Sequence, residues 1–330
     1  MNNQKVLITG ACGFIGFHLA LKFLKNSRTT VYGIDSLNNY YSVKLKKKRL
    51  LILKKKKNFI FLKKDLSDLK FCKKFFLEYK FDFIYHIAGQ AGVLYSLKNP
   101  KSYIKNNIKV TKNLVWCIKN SSYKLKKFIF ASSSSVYGDQ KKFPLKENSI
   151  LKPKNPYAHS KMRCENIILS NFKKSKNLED YVIFRLFTVF GPYGRPDMLL
   201  IKILLNVFYK KVIKIYNYGN YYRDFTYIND VVKVLFLSAK MKTKGKIFNL
   251  SSSRPIKLVS FIQKVKKILK KDIKIKFMPR RSAEVLKTHG SNKKLISFFK
   301  FIKFSSLDHS LKETIKWFNT YKNKKELMLS

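Results

Sequence analysis

Lys5-Val6-Leu7-Ile8-Thr9-Gly10-Ala11-Cys12-Gly13-Phe14-Ile15-Gly16 is the stretch on which the reading of the fold turns. A short run of branched apolar residues gives way to three glycines spaced GxxGxxG and then to a helical pattern, which reads as strand, tight turn and helix. Each glycine has a mechanical task. One makes the turn, one lets backbone N–H groups approach a pyrophosphate at the positive helix N-terminus, and one permits close helix–strand packing. The second candidate strand, residues 30–35, ends in the carboxylate of Asp35, about 20 residues beyond the last glycine, where it can accept hydrogen bonds from both ribose hydroxyls of an adenosine. The same charge would repel a 2′-phosphate, so NAD is expected rather than NADP.

Outward from this unit, short apolar runs alternate with longer helical patterns. Strands are expected at 6–9, 30–35, 59–63, 83–87, 127–132 and 181–186, with helices at 14–25, 68–79, 102–120 and 157–171. Six strands in βα alternation imply an α/β, doubly wound parallel sheet of the Rossmann kind, covered on both faces. After Gly191 the rhythm loosens: 198–209, 230–239 and 258–269 read as helices and 246–250 as a strand. The division expected is a cofactor-binding domain over 1–186 and a smaller mixed α/β substrate lobe over 187–330, with 246–250 returning to the sheet. No internal repeat is visible.

The composition of the 330 residues, 45% hydrophobic and 15% aromatic, excludes a disordered chain and supplies core for about two domains. The formal net charge is +53, from 71 Lys and Arg against 18 Asp and Glu. Most of the cations are lysines spread along the whole chain, so they read as solvated surface that would hold nucleic acid only non-specifically. The dense runs at 46–49 and 54–57 are read the same way. Cys12, Cys72, Cys117 and Cys164 form no CxxC pair and have no metal-ligand spacing, so free thiols and no metal are expected. The early first strand leaves no room for a signal peptide, and no apolar run approaches a membrane span; a cytoplasmic protein with no membrane contact is expected.

Tyr157-Ala-His-Ser-Lys161 places a phenol and an ammonium four residues apart, on one face of a helix. A tyrosine ionises near pH ~10, and a neighbouring cation lowers that value toward one useful for proton exchange with a substrate hydroxyl. The fifth strand runs into Ser132-Ser133-Ser134-Ser135-Val136-Tyr137-Gly138, which brings hydroxyls to its carboxyl end. Alone, YxxxK is a common helix pattern; beside the glycine turn and the serine-rich strand end it points to redox chemistry at a hydroxyl.

Together these motifs resemble the extended short-chain dehydrogenases, and within them the NAD-dependent nucleotide-sugar epimerases, over nearly the full length. Further carriers are Lys64-Asp65-Leu66, His86-Ile-Ala-Gly-Gln-Ala-Gly-Val93, Gly191-Pro-Tyr-Gly-Arg-Pro-Asp-Met198 and Tyr222-Arg-Asp-Phe-Thr-Tyr-Ile-Asn-Asp230. The loop at 38–41, the stretch 90–96, the GRPDM segment and Tyr216-Asn-Tyr-Gly219 are most similar to the UDP-glucuronate 4-epimerases. The resemblance implies Ser133, Tyr157 and Lys161 as the catalytic triad. It implies cofactor contacts at Gly10, Gly13, Phe14, Ile15, Gly16, Asp35, Asp65, Leu66, Ala88 and Asn107, besides Tyr157 and Lys161. Ser133, Thr188 and Arg195 are implied on the sugar and its carboxylate, Arg223 and Arg281 on the UDP diphosphate. A homodimer through the helices at 102–120 and 157–171 is implied as well.

The chain departs from that pattern at Gly89, where alanine is usual, and at Leu94, where arginine is common. Ala283-Glu284 stands for a Gly-Asp pair, and the segment Thr288-His-Gly-Ser291 ends without the usual Asp. The expected reaction is NAD-dependent epimerisation at C4 of a UDP-sugar, UDP-glucuronate first, with UDP-glucose 4-epimerase and UDP-glucuronate decarboxylase as alternatives. A 4,6-dehydratase needs an acid and a base where this chain has Ser134-Ser135. A non-enzymatic, basic nucleic-acid-binding protein on the same fold is the alternative from another class; the intact triad and glycine turn weigh against it.

Overall fold

The computed structural model describes residues 3–328. In chain order the strands are β1 Gln4–Thr9, β2 Thr29–Ile34, β3 Phe59–Leu62, β4 Phe83–His86, β5 Leu125–Ser133, β6 Leu178–Leu186, β7 Thr188–Phe190, β8 Ile213–Tyr216, β9 Tyr222–Tyr227, β10 Ile247–Leu250, β11 Pro255–Lys257 and β12 Ile275–Met278. The helices are α1 Phe14–Phe23, α2 Val43–Lys54, α3 Leu69–Glu78, α4 Val93–Lys98, α5 Pro100–Tyr103, α6 Val110–Lys119, α7 Pro156–Phe172, α8 Leu199–Phe208, α9 Ile228–Ser238, α10 Leu258–Leu269, α11 Lys293–Phe298 and α12 Leu307–Thr320.

Seven strands form one parallel sheet in the order β10-β6-β5-β4-β1-β2-β3. Alternate residues of each strand feed two cores: Val6 and Ile8 of β1 enter one and Leu7 the other, as a sheet covered on both faces requires. The order reverses between β1 and β4, which opens a crevice at the carboxyl ends of those strands. Outside this sheet, β7, β9 and β11 form a three-stranded sheet, and β8 pairs with β12.

Local sequence explains the elements that frame the crevice. Asn155 caps α7, its side chain accepting from the Ala158 N–H at 3.0 Å, and Pro156 follows at the first helical position. The helix expected at 102–120 is broken by a π-helical turn, Ile104–Lys109, between α5 and α6.

The lysine-rich run 46–49 is not all solvated surface. It lies in α2, capped by Ser42, and Leu45, Lys46, Arg49, Leu50 and Leu53 share the buried face. Arg49 is 0% exposed and Lys46 5% exposed. Helical period decides which basic residues turn inward, and a reading from composition cannot see it.

Candidate active site

The crevice begins at the turn after β1. Gly10 adopts φ +70°, and a Cβ on Gly16 would lie 2.1 Å from the Gly10 carbonyl oxygen, so only glycine lets α1 start this close to the strand. Beside the turn, Asp35 accepts from the Cys12 N–H at 3.0 Å through one carboxylate oxygen and from the Leu37 N–H at 2.8 Å through the other. Both oxygens keep lone pairs for a ribose. The residues therefore fit a dinucleotide: a side-chain-free cradle at a helix N-terminus, flanked by an oriented carboxylate.

Asp65 and Leu66 follow β3. Asp65 accepts from the Ser67 N–H at 2.9 Å and pairs with Lys105 at 3.0 Å, while the Leu66 carbonyl accepts from Asn113 Nδ2 at 2.9 Å. Asn107, in the π-helical turn, is buried and engaged on both sides. Its Oδ1 accepts from the Gln90 N–H at 2.6 Å, and its Nδ2 donates to the Gln90 carbonyl at 3.1 Å and Ser160 Oγ at 2.8 Å. It holds the 88–92 segment to α7.

Ser133 closes β5, and α7 presents Tyr157 and Lys161 across from it. Burial pushes the Tyr157 phenol up, while a hydrogen bond with the Ser133 side chain and the charge of Arg195 act downward. The ammonium of Lys161 is committed to the Ala131 carbonyl at 2.8 Å, and burial lowers its pKa. Arg195 is thus a further cation whose charge reaches Tyr157, in addition to Lys161 one turn along α7. Gly89 explains itself here: a Cβ on it would stand 3.1 Å from both Lys161 Nζ and Asn107 Oδ1, so its absence leaves the ammonium room.

Arg195 is held side-on by a carboxylate that the sequence reading missed. Its Nε donates to Asp197 Oδ1 at 2.9 Å and its Nη2 to Oδ2 at 2.6 Å, while the Tyr40 hydroxyl donates to the same Oδ2 at 3.0 Å. Gly92, at φ +101°, makes room for Tyr40, whose hydroxyl would lie 2.0 Å from a Cβ there. Nη1 of Arg195 stays outside the bidentate pair.

Thr188 opens β7. Arg223 and Arg281 lie together around Tyr221. The Arg223 guanidinium lies 4.8 Å from the Tyr221 ring centroid, the Arg281 guanidinium 3.3 Å from that of Tyr216, and the Arg281 N–H donates to the Tyr221 hydroxyl at 3.3 Å. Asp139, also unread in the sequence, anchors the segment bearing Arg281: it accepts from the Leu286 N–H at 3.3 Å and from Lys154 at 2.6 Å. Of the departures, Thr288 and Ser291 lie in backbone-bonded segments, and Leu94 is 37% exposed on α4.

Behind Ser133, Tyr157 and Lys161 runs a buried ionic network. Glu165, one turn beyond Lys161 on α7, accepts from Ser132 Oγ at 2.5 Å and from Arg185 Nη2 at 2.8 Å, and Arg185 Nη1 donates to the Tyr137 hydroxyl at 2.9 Å. It fixes α7 against β5 and β6. Its sequence signal was available, since Glu165 falls four residues after Lys161 on the same helix face.

Residues 6–251 match the NAD dependent epimerase/dehydratase family. The uncharacterized protein MJ1055 of Methanocaldococcus jannaschii is 39% identical over 320 residues, 96% of this chain and 97% of its own length. The UDP-glucuronate 4-epimerase of Thermodesulfobacterium geofontis is 34% identical over 313 residues, 94% of this chain and 95% of its own. Among solved structures, the UDP-glucuronic acid 4-epimerase from Bacillus cereus in complex with UDP-glucuronic acid and NAD superposes with a TM-score of 0.90 at 30% identity, covering 97% of this chain and all of that one.

Two outcomes follow from the site's supports. Glu165→Gln removes the counter-charge of a buried guanidinium and should lower unfolding free energy by about 3–5 kcal/mol in urea titrations; a loss below about 1 kcal/mol overturns the network's assigned weight. Burial lowers His18, whose Nε2 bonds the Pro192 carbonyl at 2.9 Å, to about 4 from 6.5. Folding thus favours neutral His18, and its stabilisation is full above pH 6.5 and lost as pH falls toward 4. The stability of the wild type minus that of His18→Gln, followed by thermal melts, should decline across that window; a flat difference sinks the assignment.

Proposed function

The chain belongs to the NAD dependent epimerase/dehydratase family, and from that premise we propose that it inverts C4 of UDP-glucuronate, giving UDP-galacturonate through a transient 4-keto sugar. It is an NAD-dependent enzyme of the UDP-sugar 4-epimerase kind. The observation that carries the reading is geometric: Ser133 ends β5, the Lys161 ammonium of α7 reaches the same strand at the Ala131 carbonyl, and Tyr157 stands one turn before it, in a sheet whose switch point is the glycine turn packed on Ala88. In this reading residues 1–186 chiefly hold NAD and 187–330 chiefly hold the sugar nucleotide, with β10 completing the sheet.

NAD would lie on Gly10, Gly13, Phe14, Ile15 and Gly16, with Asp35 on the adenosine ribose and Asp65, Leu66, Ala88 and Asn107 along its path; when bound, it supplies hydride transfer at C4. The chain's own residues do the rest. Ser133 grips the C4 hydroxyl and Tyr157 takes its proton, then returns it once the keto sugar has presented its other face. Lys161 keeps positive charge beside the phenolate and the ribose. Arg223 and Arg281 offer guanidinium forks to the diphosphate. Arg195 Nη1 and Thr188 hold the sugar carboxylate in the plane that opposes loss of CO₂ from a β-keto acid.

We further read the α5, α6 and α7 face as the contact with a second copy: it carries a groove of about 400 Å³ lined by Tyr103, Ile104, His159 and Arg163, with Ile104 57% and Trp116 42% exposed. The four unpaired, buried thiols favour the reducing cytoplasm. Among the described residues no helix is long and apolar enough to cross a membrane. A neutral sugar such as UDP-glucose is the second reading, favoured by one observation: Asp197 already neutralises Arg195.

Tyr157→Phe should fold and bind NAD yet lose nearly all turnover of UDP-glucuronate, measured by product separation; a near wild-type rate sinks the assigned base. Arg195→Met should cost about ten- to a hundred-fold in kcat/KM on UDP-glucuronate, for a charge-assisted contact of about 1.5–3 kcal/mol, and little on UDP-glucose. Equal losses on both sugars would favour the neutral-sugar reading.

A further inference from the structure

Arg49 is the largest fully buried side chain of α2 and takes no part in the chemistry above. Its Nη1 donates to the Cys12 carbonyl at 2.8 Å and to the Tyr41 hydroxyl at 2.7 Å, and its Nη2 donates to the Tyr193 carbonyl at 2.7 Å. These three acceptors belong to the cofactor turn, the loop after β2 and the turn that leads to Arg195. Among the described residues no carboxylate accepts a hydrogen bond from Arg49, and its Nε has no partner. Burying a guanidinium without a bonded counter-ion is expensive. The arrangement is one that fastens three separate segments, with the donors spread over the two arms of a planar fork.

The two ends of this fastening matter. The backbone of Cys12 is held on both sides of its Cα, its N–H by Asp35 and its carbonyl by Arg49. At the other end Tyr193 sits at φ +54°, in the left-handed region that side chains disfavour, so its turn needs an external hold. Two residues later comes Arg195. A continuous hydrogen-bonded path therefore runs from the ribose carboxylate Asp35 through Cys12 and Arg49 to the Tyr193 turn.

We propose that Arg49 is a positioning residue that ties the cofactor turn to the 191–195 turn, so that NAD seated on the first stiffens the second. Ordering the Cys12 backbone fixes one acceptor of the guanidinium, and the rigid fork then fixes the Tyr193 carbonyl. The claim rests on the family's cofactor and on these contacts, and is independent of which sugar is bound.

Hydrogen–deuterium exchange of the full chain, with and without saturating NAD and with no sugar nucleotide, reads this directly. In the wild type NAD should slow exchange in residues 191–198 by about tenfold. In Arg49→Lys, again at saturating NAD, that slowing should fall to less than about twofold while the 10–20 segment stays protected. Wild-type-like protection of 191–198 in the variant, or none in the wild type, overturns the proposal. Should Arg49→Lys fail to fold, Tyr41→Phe decides: it removes one acceptor only, and loss of at least half the protection supports the tie, whereas full protection overturns it. Failure of turnover on UDP-glucuronate would strike the proposed reaction and leave this measurement intact.

Discussion

At the switch point of the sheet the main chain leaving β1 and the main chain leaving β4 touch with no side chain between them. A Cβ on Gly10 would lie 2.8 Å from the Ala88 Cα. Everything in the crevice is placed relative to this contact. The Ala88 N–H donates to Thr9 Oγ1 at 3.0 Å, which sets the direction of the 88–92 segment. Asn107 then clamps that segment to α7, and α7 carries Tyr157 and Lys161. A widened strand-to-turn contact would therefore shift Tyr157 and Lys161 as well as the glycine turn.

The net charge of +53 gives a misleading picture of the interior. Acids are scarce, and the buried or half-buried ones are each spent on a structural junction. Asp35 orients the cofactor turn, Glu165 ties α7 to β5 and β6, Asp197 aims Arg195, and Asp224 joins β9 to the Ser252 and Gly290 backbones. Asp224 is buried enough that its carboxyl is raised to about 6, despite accepting several hydrogen bonds. The lysine excess lies mostly in solvent, where each charge contributes little to folding and is screened by salt.

What the sequence made legible was local. The glycine turn, Asp35 and the Tyr157/Lys161 pair are patterns within one βα unit or one helix turn, and strand and helix periods there agree with the residues' chemistry. The sheet was legible for the same reason, although β7, β8, β9, β11 and β12 were not read: they span three to six residues each, and their ladders join segments far apart in the chain. Asp197 and Asp139 went unread because a carboxylate's partner is fixed by tertiary approach, and neither position carries a period or spacing. Lys46 and Arg49 were misread because a basic run was judged by its charge instead of by its place on the helix.

The split between arginine and lysine in the buried sites follows from head-group shape. Only nine of the 71 basic residues are arginines. Three of these, Arg49, Arg185 and Arg195, spread separate nitrogens over acceptors from different residues or over both oxygens of one carboxylate. Two buried lysines near the crevice face simpler tasks: Lys161 meets the Ala131 carbonyl, and Lys46 meets the carbonyl and side-chain oxygens of a single residue, Asn38. An ammonium is a point donor that suffices where acceptors converge; where they diverge, only the planar fork reaches them all. Away from the crevice Lys127 joins Asp180 and the Met241 carbonyl, whose oxygens converge on one ammonium; around the crevice the junctions between segments are made by guanidinium, and the crevice holds its shape because those junctions surround it.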